Sequence, residues 1–332
     1  MTARWHNLEG STAMRSEYSM GLPAGPALRP MREDTVGLAD AATVVRELVV
    51  KPAMCGPNAR LVAQIGDWTW DTVSRLCGVD AFCASDAQGV PTYLSFYYYE
   101  LSGDAGFHLR TPTFGDRLQV VSTCYGFGAE SILTLHRLAP LERGLPPTLT
   151  AQELHEQRHA GCLYVRTFNR WIQRGEAGNR DLQSAAPHGF QHQHLPQAPA
   201  QYSPRLAYDG ARRQGGFTPA GVLPREACTL DYEVDMGRDL NGVGLLYFAS
   251  YFDIIDSALA RMWRRMGRTD SSFLARLLAR QRVVFLGNTD AGAALSIELQ
   301  RWVDAGDAAH EMFTVRVLER DTGRLLAIAE LS

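Results

Sequence analysis

Residues Arg238 to Trp263, RDLNGVGLLYFASYFDIIDSALARMW, place a polar turn with two glycines directly before an amphipathic helical pattern. Gly242 and Gly244 let the backbone reverse tightly. The unbonded amides of a first helical turn can then point at a carbonyl oxygen, which is an oxyanion hole in outline. Thioester chemistry needs such donors. Decarboxylation beside a thioester gives an enolate and acyl transfer gives a tetrahedral oxyanion, and in both the charge develops on the same oxygen. The plainer reading is that Asn241 caps the helix, a position Asn favours.

Within the helix Tyr247 and Tyr251 lie four apart on one side, and Asp253 and Asp256 lie three apart on another. A helix carboxylate could activate water, although acidic residues on a polar face are ordinarily just solvated. Gly287 and Asn288 stand at the end of a strand pattern, beside a pocket or simply in a turn. Tyr93 alternates with Ser95 and Tyr97, which puts all three on one strand face. Aromatic residues favour strands, so that face also reads as plain core.

Other chemistries are disfavoured. No GxSxG elbow occurs, and no serine is paired with a histidine and an acid. His108, His136 and His310 are isolated, while His188, His192 and His194 sit among Gln and Pro without a Cys or carboxylate to complete a metal site. Lys51, the single lysine, lies beside Pro52 and would have to carry any Schiff base. Cys55, Cys77, Cys83, Cys124, Cys162 and Cys228 form no CxxC pair and read as reduced thiols. A net charge of −3, with 33 basic residues interspersed among 36 acidic ones, leaves no nucleic-acid footprint. No apolar run is long enough to cross a membrane. These features predict a soluble, cytoplasmic protein.

The elements that must position these residues follow from periodicity. Residues 1–40 show none and read as a flexible leader. A first unit, 41–175, opens with TVVRELVV, a strand or short helix, and continues through the helical pattern LVAQIGDWTWDTVSRLCG. Four strand patterns then follow: TYLSFYYYEL, RLQVVSTCYGF, SILTLHRL and CLYVRTFNRWIQR. Residues 176–221 form a polar connector with a short helix. A second unit, 222–332, repeats the order: CTLDYEVD as a strand, the long helix ended by Gly267, then QRVVFLGN, ALSIELQRWVD, MFTVRVLERD and LLAIAEL. The repeat predicts an α+β chain in which two antiparallel sheets each wrap a long central helix. Such a duplicated fold satisfies its own pairing, so the oligomer is left open, with a homodimer possible.

The block DLNGVGLLYFASYFDIIDSAL (239–259), with FLGNTDAG (285–292), NRDLQSAAP (179–187), LPQAPAQYSPRLAYD (195–209), GDWTW (66–70) and VPTYLSF (90–96), resembles the LnmK family of bifunctional acyltransferase/decarboxylases over about residues 45–330. The resemblance implies a double hotdog fold that takes a methylmalonyl-type CoA thioester, decarboxylates it and loads an acyl carrier protein in polyketide-type biosynthesis, with neither metal nor organic cofactor. It also implies an active-site tyrosine at Tyr93, either as acyl acceptor or as donor to the enolate. Phenols keep their proton at neutral pH, which favours the donor role. Asn241 and Gly242 join it as catalytic candidates, with Val243, Gly244, Tyr247, Tyr251 and Asn288 as substrate-binding ones. The alternatives are a hotdog thioesterase, a dehydratase, or a non-catalytic module that binds a carrier protein.

Overall fold

The computed structural model describes residues 34–56, 60–304, 306–307 and 310–332. In chain order they form β1 (Thr35–Asp40), β2 (Thr43–Val49), α1 (Arg60–Cys77), β3 (Tyr93–Ser102), β4 (Arg117–Gly126), β5 (Ser131–Pro140), α2 (Ala151–Glu156), β6 (Leu163–Gly175) and β7 (Gly178–Ser184). Then follow α3 (Pro204–Gln214), β8 (Val222–Glu233), α4 (Phe248–Arg265), α5 (Asp270–Ala275), β9 (Arg280–Phe285), β10 (Ala294–Asp304), β11 (Glu311–Glu319) and β12 (Leu325–Leu331). Of the expected leader, residues 1–33 lie outside the described residues, and 35–40 form β1, paired with β2. The connector contains the short helix α3, but it begins with a strand, β7, that hairpins onto β6.

The expectation of two sheets is corrected: one antiparallel sheet runs β1-β2-β4-β5-β6-β3-β9-β12-β11-β10-β8. Its halves join where β3 pairs with β9 from Tyr98↔Val284 to Ser102↔Arg280. Left apart, these two strands would each present a row of unpaired N–H and C=O groups, a cost that direct pairing removes. The periodicity of each strand reports its faces but not its neighbour, so the seam is invisible in sequence.

The two long helices pack into one apolar core with strands from both halves. Along α1 the buried positions Leu61, Val62, Ile65, Trp68, Val73 and Leu76 recur at helical spacing. On α4 Tyr251, Phe252, Ile255, Leu259, Met262 and Trp263 do the same, and Arg264 and Arg265 complement the negative end of the helix dipole. The helices meet at Gly66, where a Cβ would stand 2.3 Å from the Phe248 ring. That ring cannot readily yield, because it stacks on Phe96 at 4.0 Å and lies edge-on to Tyr247 at 4.7 Å. Gly66→Ala is therefore expected to cost about 1–3 kcal/mol of stability through overpacking. Urea unfolding would measure it, and an unchanged midpoint would show that the crossing has slack.

On β5, opposite Ser122 of β4, His136 is fully buried. Its ring nitrogens meet Thr69 Oγ1 and Ser122 Oγ, each at 2.9 Å. Burial, helped by the nearby Arg46 guanidinium, pushes its pKa down to about 3. The unfolded chain would take up a proton near pH 6.5 that the folded chain refuses until near pH 3. Stability is thus complete above about pH 6.5 and falls as pH drops toward 3, by about 2 kcal/mol at pH 5 from this group. Denaturant titrations at pH 7 and pH 5 check this, and a His136→Gln variant should lose that part of the slope.

Candidate functional site

At the seam the strands part. β3 keeps its pairing with β6 from Tyr93 to Phe96, while its pairing with β9 starts only at Tyr98. Beyond Phe285 the chain leaves β9 as Leu286–Gly287–Asn288, with the amides of Leu286 and Gly287 donating to Leu326 O. The wedge between β3 and this segment, closed by the turn before α4, is a cavity of about 580 Å³. That is a normal size for a site holding a small ligand. Tyr97 is the extra residue of a bulge, since partners step from Phe96↔Asn169 to Tyr98↔Phe168. The bulge switches faces, so Phe96 before it and Tyr99 after it both enter the helix-side core.

Tyr93, Asn241, Gly242, Val243, Tyr247, Tyr251 and Asn288 all line this one cavity, as do Ser95 and Tyr97, the partners of Tyr93 on its strand face. Gly244 stands just behind the wall at φ +75°, a left-handed conformation that favours glycine. Its carbonyl accepts from Asn179 Nδ2 at 2.7 Å. Part of the lining is aromatic: Trp70 lies 6.1 Å from Phe248 and 5.9 Å from Phe96.

The turn differs from the expected open row of amides. α4 starts at Phe248, with Tyr247 at its N-cap and no side-chain cap, so Asn241 does not cap the helix. Asn241 Oδ1 instead accepts from the amides of Val243 (3.2 Å) and Leu245 (2.9 Å), and its carbonyl accepts from Gly244 N at 2.9 Å. Leu246 N donates to Asn288 Oδ1 at 2.9 Å and Tyr247 N to Asp239 O at 2.8 Å. Asn288 Nδ2 returns a bond to Leu246 O at 2.9 Å, so its amide mimics a strand partner for the turn. The amides of Gly242, Phe248 and Ala249 remain outside this network, and Gly242 and Phe248 line the cavity. The donors available to a ligand are thus fewer and differently placed than the glycine spacing suggests. Asn side chains compete for turn amides, which explains the difference.

The tyrosines divide by what their hydroxyls meet. Tyr251 OH donates to Gly287 O at 3.0 Å and ties α4 to the cavity wall. Burial pushes both Tyr247 and Tyr251 above the usual phenol range, and the Asp67 carboxylate adds to the rise at Tyr247. Both stay protonated. Tyr93 is half-buried, with the Arg174 guanidinium 5.7 Å over its ring.

The helix carboxylates do not reach the cavity wall. Asp256 is held by Arg276 Nη2 at 2.8 Å and Arg110 Nη2 at 3.1 Å, a clamp that fastens α4 to the loop before β4 and to the segment after α5. Lys51 is exposed and pairs with Asp34 at 2.7 Å, away from the cavity.

Sequence periodicity assigns no role to Asn179, Arg174, Arg180 or Arg324. Asn179 is buried, donates to Gly244 O and at 3.4 Å to Thr289 O, and accepts from Arg174 Nε at 3.0 Å. Arg174 also donates to Val243 O. Arg180 and Arg324 line the cavity. The available signal was the pair Gly175 and Gly178 between WIQR and NRDLQS, a hairpin marker that would have extended the strand. Among the described residues no three His, Cys, Asp or Glu side chains gather as metal ligands, and no helix is long and apolar enough to cross a membrane.

Residues 45–219 match the family model of the LnmK N-terminal Hot Dog Fold domain. Among solved structures, an acyl-ACP thioesterase from Bacteroides thetaiotaomicron superposes with a TM-score of 0.52 at 10% identity, covering 87% of this chain and 96% of that one. The 12:0-ACP thioesterase from Umbellularia californica gives 0.51 at 8% identity, covering 87% and 92%. A Lactobacillus plantarum protein described as an oleoyl thioesterase gives 0.55 at 11% identity, covering 88% and 96%. At such identities the likeness shows a hotdog fold. No curated protein sequence matches the chain significantly.

Proposed function

This chain belongs to the family of the LnmK N-terminal Hot Dog Fold domain, and from that premise we propose that it is an acyltransferase/decarboxylase built as a double hotdog. It would take a malonyl-type CoA thioester, of which methylmalonyl-CoA is the preferred case, and load the decarboxylated acyl group on an acyl carrier protein in polyketide-type biosynthesis. The observation that carries the reading is that Tyr93 and the Asn241–Gly244 turn, 148 residues apart in sequence (241 − 93), border one cavity.

The decarboxylation needs no base. The Cα–carboxylate bond breaks, CO₂ leaves, and the electron pair moves into the thioester as an enolate that is then protonated at Cα. The Tyr93 hydroxyl and the amides of Gly242 and Phe248 are the donors that would meet the enolate oxygen. The substrate carboxylate, turned toward Trp70, Phe96 and Phe248, would lose water there, and desolvation of the ionised ground state favours its departure as neutral CO₂. The same donors serve the tetrahedral oxyanion when the carrier thiol attacks the thioester; its collapse breaks the acyl–CoA bond, and the carrier thiol's proton leaves with CoA as its thiol. Asn241 and Asn288 keep the turn in place, and Tyr251 ties α4 to the cavity wall. The six free thiols suit a cytoplasmic setting.

Hydrolysis by an α4 carboxylate is disfavoured because neither Asp253 nor Asp256 lines the cavity and Asp256 is held by two guanidiniums. Incubation with methylmalonyl-CoA and a phosphopantetheinylated carrier protein, followed by mass spectrometry of both, tests the proposal. Loss of CO₂ with propionyl on the carrier is the expected result. Free acid alone would point to a thioesterase, and binding without turnover to a carrier-binding module.

A further inference from the structure

The cavity lining has two parts of opposite character: Trp70, Phe96 and Phe248 are aromatic, whereas Gly242, Val243 and Arg180 are open to solvent. The cations on its lining are Arg180 and Arg324, with side chains 49% and 32% exposed. Both face one carboxylate, Glu319, whose side chain is only 3% exposed: Arg180 Nη2 is 2.9 Å and Arg324 Nη2 is 3.6 Å from the same oxygen. Glu319 is itself fixed by Thr289 Oγ1 at 2.7 Å and Thr322 Oγ1 at 2.6 Å. Arg324 further donates to Asn288 O at 2.6 Å. Gly287 makes room for it, since a Cβ there would stand 2.9 Å from Arg324 Nη1.

Two guanidiniums are thus held at the rim by a carboxylate that is already satisfied, and each keeps N–H donors to spare from its five. Asp290, 3.9 Å from Arg180 and 57% exposed, is a second acid beside the pair. Arg174, next to this cluster through Asn179, is held by Asn179 Oδ1 and Val243 O.

We propose that Arg180 and Arg324, set by Glu319, form a phosphate clamp that reads the phosphate joined to the pantetheine arm, the group CoA and a loaded carrier protein share. The assignment rests on the thioester reading above and deepens it. A carboxylate destined to leave as CO₂ belongs at the aromatic part, where no lining cation would stabilise its ionised form, so the rim cations fit a different anion. Paired planar guanidiniums suit phosphate oxygens, and partial exposure lets them meet a ligand that enters from solvent.

The test is a binding measurement, independent of turnover, with three inert thioethers: S-ethyl-CoA, S-ethyl-4′-phosphopantetheine and S-ethyl-pantetheine. The wild-type protein should bind both phosphorylated ligands at least roughly tenfold tighter than S-ethyl-pantetheine, with the difference shrinking as salt rises. Arg180→Gln, a half-exposed side chain whose loss leaves Arg324 on Glu319, should lose most of that preference while its affinity for S-ethyl-pantetheine stays put. Arg324→Gln should do the same, with melting curves confirming its fold. Retained preference in both variants overturns the clamp, as does a preference confined to S-ethyl-CoA, which would place the contacts on the nucleotide instead. If the wild-type protein binds none of the three, the thioester reading falls and the clamp with it.

Discussion

Tyr93→Phe should lower the rate of decarboxylation and transfer by roughly 100- to 1000-fold, the usual consequence of removing one preorganised donor to a developing oxyanion. The substitution deletes one oxygen from a half-buried ring that borders the cavity, so the fold and the affinity for an inert thioester should stay close to wild type. Single-turnover kinetics with methylmalonyl-CoA, set beside binding of S-ethyl-CoA, separate these effects. A variant with full transfer rate would remove Tyr93 from the chemistry altogether. A variant that forms no acyl-enzyme adduct yet still decarboxylates would assign the tyrosine to the acceptor role and leave enolate stabilisation to the amides of Gly242 and Phe248.

Asn179→Ala should damage both stability and turnover. Its side chain joins β7 to the turn before α4 and to the segment after β9: it donates to Gly244 O and Thr289 O and accepts from Arg174. Alanine would leave the Gly244 carbonyl without this donor and free Arg174 from one of its two acceptors. Each buried polar group left unpaired costs about 1–3 kcal/mol, so a loss of about 2–4 kcal/mol in unfolding free energy is expected. Because Gly244 anchors the turn whose Gly242 lines the cavity, a fall in kcat of about 100-fold should accompany it on the proposed mechanism. Thermal melts and steady-state rates measure the two losses. A variant with wild-type kcat would show that Asn288 alone can hold the turn.

The elements were largely legible because each long segment carries one clear period. α1 and α4 announce themselves by apolar spacing, and β3 to β6 and β10 to β12 by runs of β-branched and aromatic residues. What lay beyond reach depended on contacts between distant segments. No local pattern states that β3 will pair with β9, and that pairing turns two expected sheets into one. The Asn241 turn could be singled out from its own neighbourhood and Tyr93 from the family resemblance, but their meeting in one cavity is a property of the seam. The glycines of DLNGVG suggested exposed amides, whereas the Asn241 and Asn288 side chains engage those of Val243, Leu245 and Leu246, and backbone carbonyls those of Gly244 and Tyr247. Arg180 and Arg324 look like ordinary surface arginines until Glu319 and Gly287 are seen to hold them at the rim.

The β3–β9 seam also governs how the chain comes off the ribosome. Ser102 waits for Arg280, 178 residues later (280 − 102), before its outer edge gains a neighbour. At translation speeds of about 5–20 residues per second, the nascent first half displays that bare edge for on the order of ten to thirty seconds. Chaperone capture during synthesis, and aggregation of chains truncated before β9, are the natural consequences of placing the cleft where the two halves are stitched together.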